Sequence, residues 1–495
     1  MMRHPVILLA VTLAVFAPSL VAPFHFDDLA LFADPVITSP SGWWFVWRPL
    51  QTRPLTWFTF WLNYQAGGED PVGYHAVNVL LHSTAVALVY RLLARLATPE
   101  VALTAAALFA LHPVQTEPVA YIYARATVLS TIFCLLSASS WLDAHWPRAI
   151  GFFAFALMSK EECVAVPFVL LLLRRAWLPF AVTVGLSLAA GLRVMAAIDI
   201  LQVTGAGQRS AVSAIDYAAT QGTVILRYVR LLVIPYGFTC DPYIQVVRGW
   251  PAVLSWSAVL LVTAAIVRYH RHGWWFLAGL VLLLPSSSIF PAEDLAADRR
   301  MYLPMVALAG FAALAIPEHR RMPVTAAACG VLAMLTLGRV YVWQSEERLW
   351  AEALRRAPEK VRPYIMLARV SEDAEALRLL EELCRRAPRD HRAWFELGIR
   401  RLAAHEPELA VDALRKALTL GPPDAGARLQ LGAALLASGR TEEAITEFRH
   451  SLDVDPCSTE ARGALERLGV TAPVLVPEPT CPQPSGTASG TGRLH

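Results

Sequence analysis

The chain places acidic, basic and imidazole side chains in short clusters separated by apolar runs, and the first cluster is the most reactive in type. Asp27 and Asp28 are adjacent carboxylates directly after an apolar N-terminal segment. Neighbouring carboxylates oppose each other's ionisation, which lifts one toward the working range of a general base and leaves the other to orient it. The plainer role for the same pair is an N-cap for a helix starting near Leu29. His75, Asn78 and His82 recur at i, i+3 and i+7, one face of a helix. That face suits a phosphate or an acceptor hydroxyl, or else hydrogen bonding between helices, which is the preferred reading for the deeper His82. His112, Glu117 and Arg125 fall within one stretch, and the forked, permanently charged guanidinium of Arg125 fits bidentate phosphate recognition. The alternative there is an ion pair of Glu117 with Arg125 or Arg53 that simply holds the loop. Lys160-Glu161-Glu162 and Asp298-Arg299-Arg300-Met301-Tyr302 complete the set, although arginines also snorkel at ordinary helix ends. Asp27, Asp28, His75, His112 and Glu117 offer donors for a divalent cation, but no ligand spacing compels one.

The elements that must position these groups are membrane helices. Hydrophobic residues make up 56% of the 495 and charged residues 17%, with a mean hydropathy of +0.44, a balance foreign to soluble globular chains. A net charge of +3 is too small to point to nucleic acid. The seven cysteines show neither CxxC nor zinc-ligand spacing. Spans of roughly twenty apolar residues with Lys and Arg gathered on the cytoplasmic side give eleven segments, at about 5–22, 75–96, 100–112, 126–142, 148–159, 163–173, 177–195, 251–267, 274–290, 301–316 and 323–342. The N-terminal run reads as an uncleaved first span, because Pro23 hinders cleavage after Ala22. Residues 23–74 form an external loop whose Trp43, Trp44, Trp47, Trp57 and Trp61 suit interfacial helices. A further external loop carries Gly205, Gly207 and Arg209. The segment 221–236 holds Arg227 and Arg230 and ends at Pro235, so it is read as an interfacial or re-entrant helix. With this topology every acidic cluster faces outward and the inner loops carry basic residues.

From 344 to 470 the chain is a soluble helical domain of repeats. Trp394, Leu397, Gly398, Ala410, Leu414, Ala417 and Pro422 are followed at a 34-residue period by Leu431, Gly432, Ala444, Phe448 and Pro456, the tetratricopeptide pattern. A degenerate unit precedes, with Tyr364, Leu367, Ala376, Leu380 and Pro388, its first helix about four residues short. Leu349-Trp350, Ala353-Leu354 and Ala357-Pro358 resemble the second helix of one more unit. Residues 471–495 are Pro, Thr, Ser and Gly, the composition of a disordered tail. The fold class is therefore all-α, with a polytopic membrane domain over 1–343 and a helical solenoid after it.

Several motifs occur in one order: Phe26-Asp27-Asp28; Arg53-Pro-Leu-Thr-Trp-Phe-Thr-Phe; Tyr74-His75-Ala-Val-Asn78 with His82; Leu111-His112-Pro113 with Thr116-Glu117 and Arg125; Ser159-Lys160-Glu161; and Asp298-Arg299 with Tyr302-Leu303-Pro304. In this order, and with terminal repeats, the chain resembles the transmembrane and tetratricopeptide-repeat O-mannosyltransferases and their bacterial relatives. The resemblance implies a GT-C fold, a polyprenyl-phosphate sugar donor, inversion at the anomeric carbon and a site on the non-cytoplasmic face. It implies Asp27 as base, Asp28 as its partner or acceptor contact, and Arg125 with Arg299 or Arg300 at the lipid phosphate. His75, His112, Glu117, Lys160 and Glu161 are further site candidates. A polypeptide or glycan acceptor would be held by the repeats, and the compact size points to a bacterial inner membrane with the site and repeats in the periplasm. Two other readings stand beside this one: a GT-C enzyme acting on an envelope glycan or lipid, and a non-enzymatic scaffold in which Asp27 is replaceable.

Overall fold

A computed structural model describes residues 3–201, 212–288, 291–292 and 294–471. Gly205, Gly207 and Arg209 of the further external loop expected after the seventh span, and the tail from Ala472 onward, lie outside the described residues. The described residues form helices and turns and contain no strand. They divide into two compact units, Met1–Arg356 and Ala357–His495.

In the first unit a helix stands at each of the eleven expected places. Six of them are long and apolar enough to cross a membrane: His4–Val21, Pro71–Leu93, Ile122–Leu142, Trp177–Ala197, Trp250–Tyr269 and Glu318–Trp343. Pro99–Leu111 and Gly273–Leu283 are apolar but shorter. Proline sets several starts, since its missing N–H is one that a first turn leaves unbonded anyway. Pro71 and Pro99 each follow a capping side chain, with Asp70 accepting from the Val72 N–H at 3.0 Å and Thr98 from Val101 at 3.4 Å. Leu178, Leu188, Leu260, Leu261 and Met334 lie exposed on these helices, an apolar exterior suited to lipid and not to water.

Residues 23–74, the expected external loop, contain helices, as expected from their tryptophan content. They fold into short helical turns and the helix Pro54–Gly67, with the Trp43 and Trp44 rings stacked 4.2 Å apart and Trp61 donating to the Ser39 carbonyl at 3.0 Å. The segment expected at 221–236 is part of a longer helix, Ala214–Val233. It packs on Trp250–Tyr269 through Gly222, where a Cβ would lie 2.6 Å from Ser255 Oγ and 2.9 Å from the Trp256 backbone nitrogen. Arg227 on this helix, expected at a lipid interface, pairs with the buried Asp298 at 2.5 Å.

The second unit consists of helix pairs: Val361–Val370 with Asp373–Arg386, His391–Ala403 with Pro407–Leu420, and Ala425–Ala437 with Thr441–Val454, closed by Thr459–Arg467. The small residues of the repeat sit where helices cross: a Cβ on Gly398 would meet Leu414 Cγ at 2.5 Å, and one on Gly432 would meet Phe448 Cε1 at 2.5 Å. The degenerate unit has a first helix of 10 residues against 13 in the next. The helix Glu346–Arg356 belongs to the first unit, so the division falls after Arg356 and not at 344. Its apolar face is already occupied there: Trp350 is buried against the Phe26 ring at 5.0 Å, and Glu352 pairs with Arg339.

Candidate active site

Local backbone strain sets the acidic pair. Phe26 has φ = 49°, a left-handed conformation that costs an L-residue roughly 1–2 kcal/mol. Rings hold it there, with Tyr121, Trp343 and Trp350 edge-on at 5.4, 6.1 and 5.0 Å. The preceding residue is tied down as well: the buried His25 Nε2–H donates to the Trp343 carbonyl at 2.7 Å. Burial lowers the His25 imidazole to about 4, so it donates as a neutral ring. The result is a short 3-10 turn, Phe26–Asp28, which aims its two carboxylates in different directions.

Asp28 points inward. It is fully buried and accepts the His25 N–H at 2.9 Å and the Tyr123 N–H at 2.7 Å. Burial pushes its carboxyl up to about 7, against the pull of those backbone donors, and the Asp27 charge adds to the rise. Asp27 points outward, exposed to solvent, with one oxygen accepting the Tyr121 hydroxyl at 2.8 Å. One carboxylate is thus fixed as a brace, and the other keeps an oxygen free at the surface. The brace is the cap anticipated for this pair, but it closes the 3-10 turn itself, not a helix from Leu29.

The cationic candidates separate in the same way. Arg299 is 30% exposed and donates to Glu117 at 2.7 Å. Its field and those of Asp27 and Asp28 all act on the Tyr121 hydroxyl, so these groups share one neighbourhood. Arg125 is fully buried, and its donors go to Asn78 Oδ1 at 2.7 Å, the Thr59 carbonyl at 3.2 Å and the Tyr74 carbonyl at 3.1 Å, with Phe60 under the guanidinium at 4.5 Å. Arg300 is buried too, donating to the Asp294 carbonyl at 2.8 Å and to Tyr217 Oη at 3.2 Å. Arg125 and Arg300 therefore brace backbone, and of the three expected phosphate ligands Arg299 alone is open.

Glu117 pairs with Arg299 rather than with Arg125 or Arg53. Arg53 pairs instead with Glu161, its Nε 2.9 Å from Oε2 and a second, shorter bond from Nη2. Burial pushes the Glu161 carboxyl up, but the charge and hydrogen bond of Arg53, with a backbone N–H and Lys160 adding to them, together hold Glu161 at about 2. Arg53, like Phe26, has a left-handed backbone, with φ = 54°. Lys160 is buried, 2.8 Å from both Thr127 Oγ1 and Glu162. Of the histidines, His82 bonds Tyr302 Oη at 2.8 Å and the Ala110 carbonyl at 3.2 Å, the interhelical role preferred for it. His75 Nε2 donates to the Ala22 carbonyl at 3.1 Å, and His112 Nδ1 accepts the Val114 N–H at 3.2 Å. The five residues considered for a cation do not converge: among the described residues no group of three or more His, Cys, Asp or Glu side chains is placed to hold a metal ion.

Sequence reasoning passed over Tyr121 and Tyr123, although both lie between His112 and Arg125 and bracket the acidic pair. The signal was an i, i+2 pair of aromatic hydroxyls just ahead of a membrane span, where residues of this kind gather at the polar border.

A tetratricopeptide-repeat family model matches residues 401–468. A protein O-mannosyl-transferase of Caenorhabditis elegans is 29% identical over 357 residues, covering 65% of this chain and 51% of that protein. The protein O-mannosyl-transferase TMTC4 of Homo sapiens is 27% identical over 401 residues, covering 62% of this chain and 53% of that protein. A protein O-mannosyl-transferase of Drosophila melanogaster reaches 42% over 121 residues, covering 23% of this chain and 14% of that protein. The chain spans about half the length of the first two. Alignments and the repeat match thus make this chain similar to protein O-mannosyl-transferases and give it tetratricopeptide repeats.

Proposed function

We propose that the chain moves a sugar, mannose, from a polyprenyl-phosphate donor to a Ser or Thr hydroxyl of a polypeptide, with inversion, on the non-cytoplasmic face of the membrane. One observation carries this reading: an exposed carboxylate, Asp27, is held by Tyr121 and braced by the buried Asp28, within the field of a half-open arginine. The free oxygen of Asp27 takes the proton as the acceptor hydroxyl attacks the anomeric carbon. The bond from that carbon to the phosphate oxygen breaks, and its electron pair leaves with the lipid phosphate. Arg299 meets the charge that develops there, the kind of fixed electrostatic stabilisation that dominates many transfer reactions. Attack opposite the leaving group inverts the centre. Arg125 and Arg300 are positioning residues in this scheme.

The two units support a division of labour, with chemistry in Met1–Arg356 and capture of an extended acceptor by the repeats of Ala357–His495. Tethering the acceptor raises its effective concentration at the site. A bacterial inner membrane, with site and repeats in the periplasm, is the proposed setting.

The test is transfer by the full chain in liposomes from labelled polyprenyl-phosphate mannose, with glucose and arabinose donors alongside, to peptide, glycan and lipid acceptors. Label on peptide Ser or Thr with inverted configuration is the expected result. Label on glycan or lipid would reassign the acceptor, and no transfer from any donor by folded protein would leave the scaffold reading.

A further inference from the structure

Arg193 lies inside a candidate membrane span, Trp177–Ala197. It sits four residues before the end of that span, beside the loop at Pro49 and Gln51, and an ionisable residue within a span tends to mark a ligand path. Its donors reach two loop carbonyls, Nε to Pro49 at 2.7 Å and Nη2 to Gln51. Among the described residues no carboxylate pairs with it, and its partners are these two carbonyls. It lines a cavity of about 220 Å³ between the helices Trp146–Ser159 and Trp177–Leu201. Ala154 and Leu157 form one wall, Ala189 and Ala190 the other, and Arg53 stands at the polar end with its partner Glu161. The alanines open the groove, since small residues on facing helices leave room that larger ones would fill.

The groove therefore fits an anion with a hydrocarbon tail: two guanidiniums against one carboxylate at one end, methyl and methylene groups along the rest. It also adjoins the site. Lys160, next to Glu161, lies in the fields of both Arg53 and Arg299, and Arg299 in turn acts on the Tyr121 that holds Asp27.

Resting on the donor class proposed above, we infer that this groove seats the polyprenyl phosphate. The isoprene units nearest the phosphate lie against Ala154, Leu157, Ala189 and Ala190, and the phosphate lies at the groove's polar end between Arg193 and Arg53 on one side and Arg299 on the other, so that Arg299 still meets the charge on the departing oxygen. The lipid then enters sideways from the bilayer between two helices and presents its sugar toward Asp27. Arg193 becomes a donor-binding residue that the sequence motifs do not include.

The experiment reads binding without transfer. Full-length protein in nanodiscs is photolabelled with a polyprenyl phosphate carrying a diazirine on its first isoprene units, and the adducts are mapped. Adducts are expected at 154–158 and 186–194, reduced at least tenfold by Ala190→Trp, Leu157→Trp and Arg193→Gln, and kept by Arg193→Lys and Asp27→Asn. Excess phosphatidylglycerol should not displace them. Adducts elsewhere, displacement by phosphatidylglycerol, or full labelling in stable Ala190→Trp and Leu157→Trp proteins would overturn the assignment. Correct labelling in a protein that transfers no sugar would retain the groove and refute the transferase, so the two failures are distinguishable.

Discussion

Two adjacent aspartates with the same chemistry are turned in opposite directions by one strained turn. With φ = 49° at Phe26, Asp28 turns into the protein and Asp27 out of it. Replacing Asp28 by asparagine keeps its size but turns one acceptor oxygen into a donor, so either the His25 or the Tyr123 N–H loses its partner. The expected loss is about 1–3 kcal/mol, read as a lower melting temperature. The pH dependence follows from the direction of the shift. The folded protein keeps a proton on Asp28 up to about 7, whereas the unfolded chain releases it near the ordinary value of 3.8. Across that window the folded state binds more protons, so this contribution to stability is full below it and falls as pH rises through it. Asp28→Asn should remove that slope, and a melting temperature with the same pH dependence in both proteins would refute the assignment. The place of Asp27 beside a span was legible in the sequence. Its orientation was not, because a left-handed phenylalanine leaves no mark in the local pattern.

At the scale of elements, helix positions could be read because apolar runs and prolines mark them locally. Partners across long separations could not: Arg53 with Glu161 and Glu117 with Arg299 join segments that no periodicity relates. The helix Glu346–Arg356 shows the same limit. Its apolar spacing fitted a repeat, yet Trp350 packs on Phe26 in the membrane unit. A chain ending after Arg356 keeps this brace, and one ending after Gln344 loses it. The shorter chain should melt lower, since losing a buried tryptophan costs about 3–5 kcal/mol. It should also lose transfer to a small soluble acceptor that the longer chain retains. Equal melting temperatures for the two would show that Trp350 does not hold the turn.

The whole molecule carries one unit with a lipid-compatible exterior and a second of tetratricopeptide-type helix pairs; in the function proposed above, the first receives a donor from the bilayer and the second an acceptor from water. Within the first unit Asp27 is an exposed carboxylate that accepts the Tyr121 hydroxyl, and Arg299 acts electrostatically on the same tyrosine. General-base contributions are typically about 10²- to 10⁴-fold. The decisive measurement is the initial rate of mannose transfer in liposomes for wild type, Asp27→Asn and Asp27→Glu, each checked for an unchanged melting temperature. A loss of at least a hundredfold in Asp27→Asn, with partial recovery in Asp27→Glu, is the expected result. Transfer by Asp27→Asn within a few-fold of wild type would contradict the account and remove the base from this site.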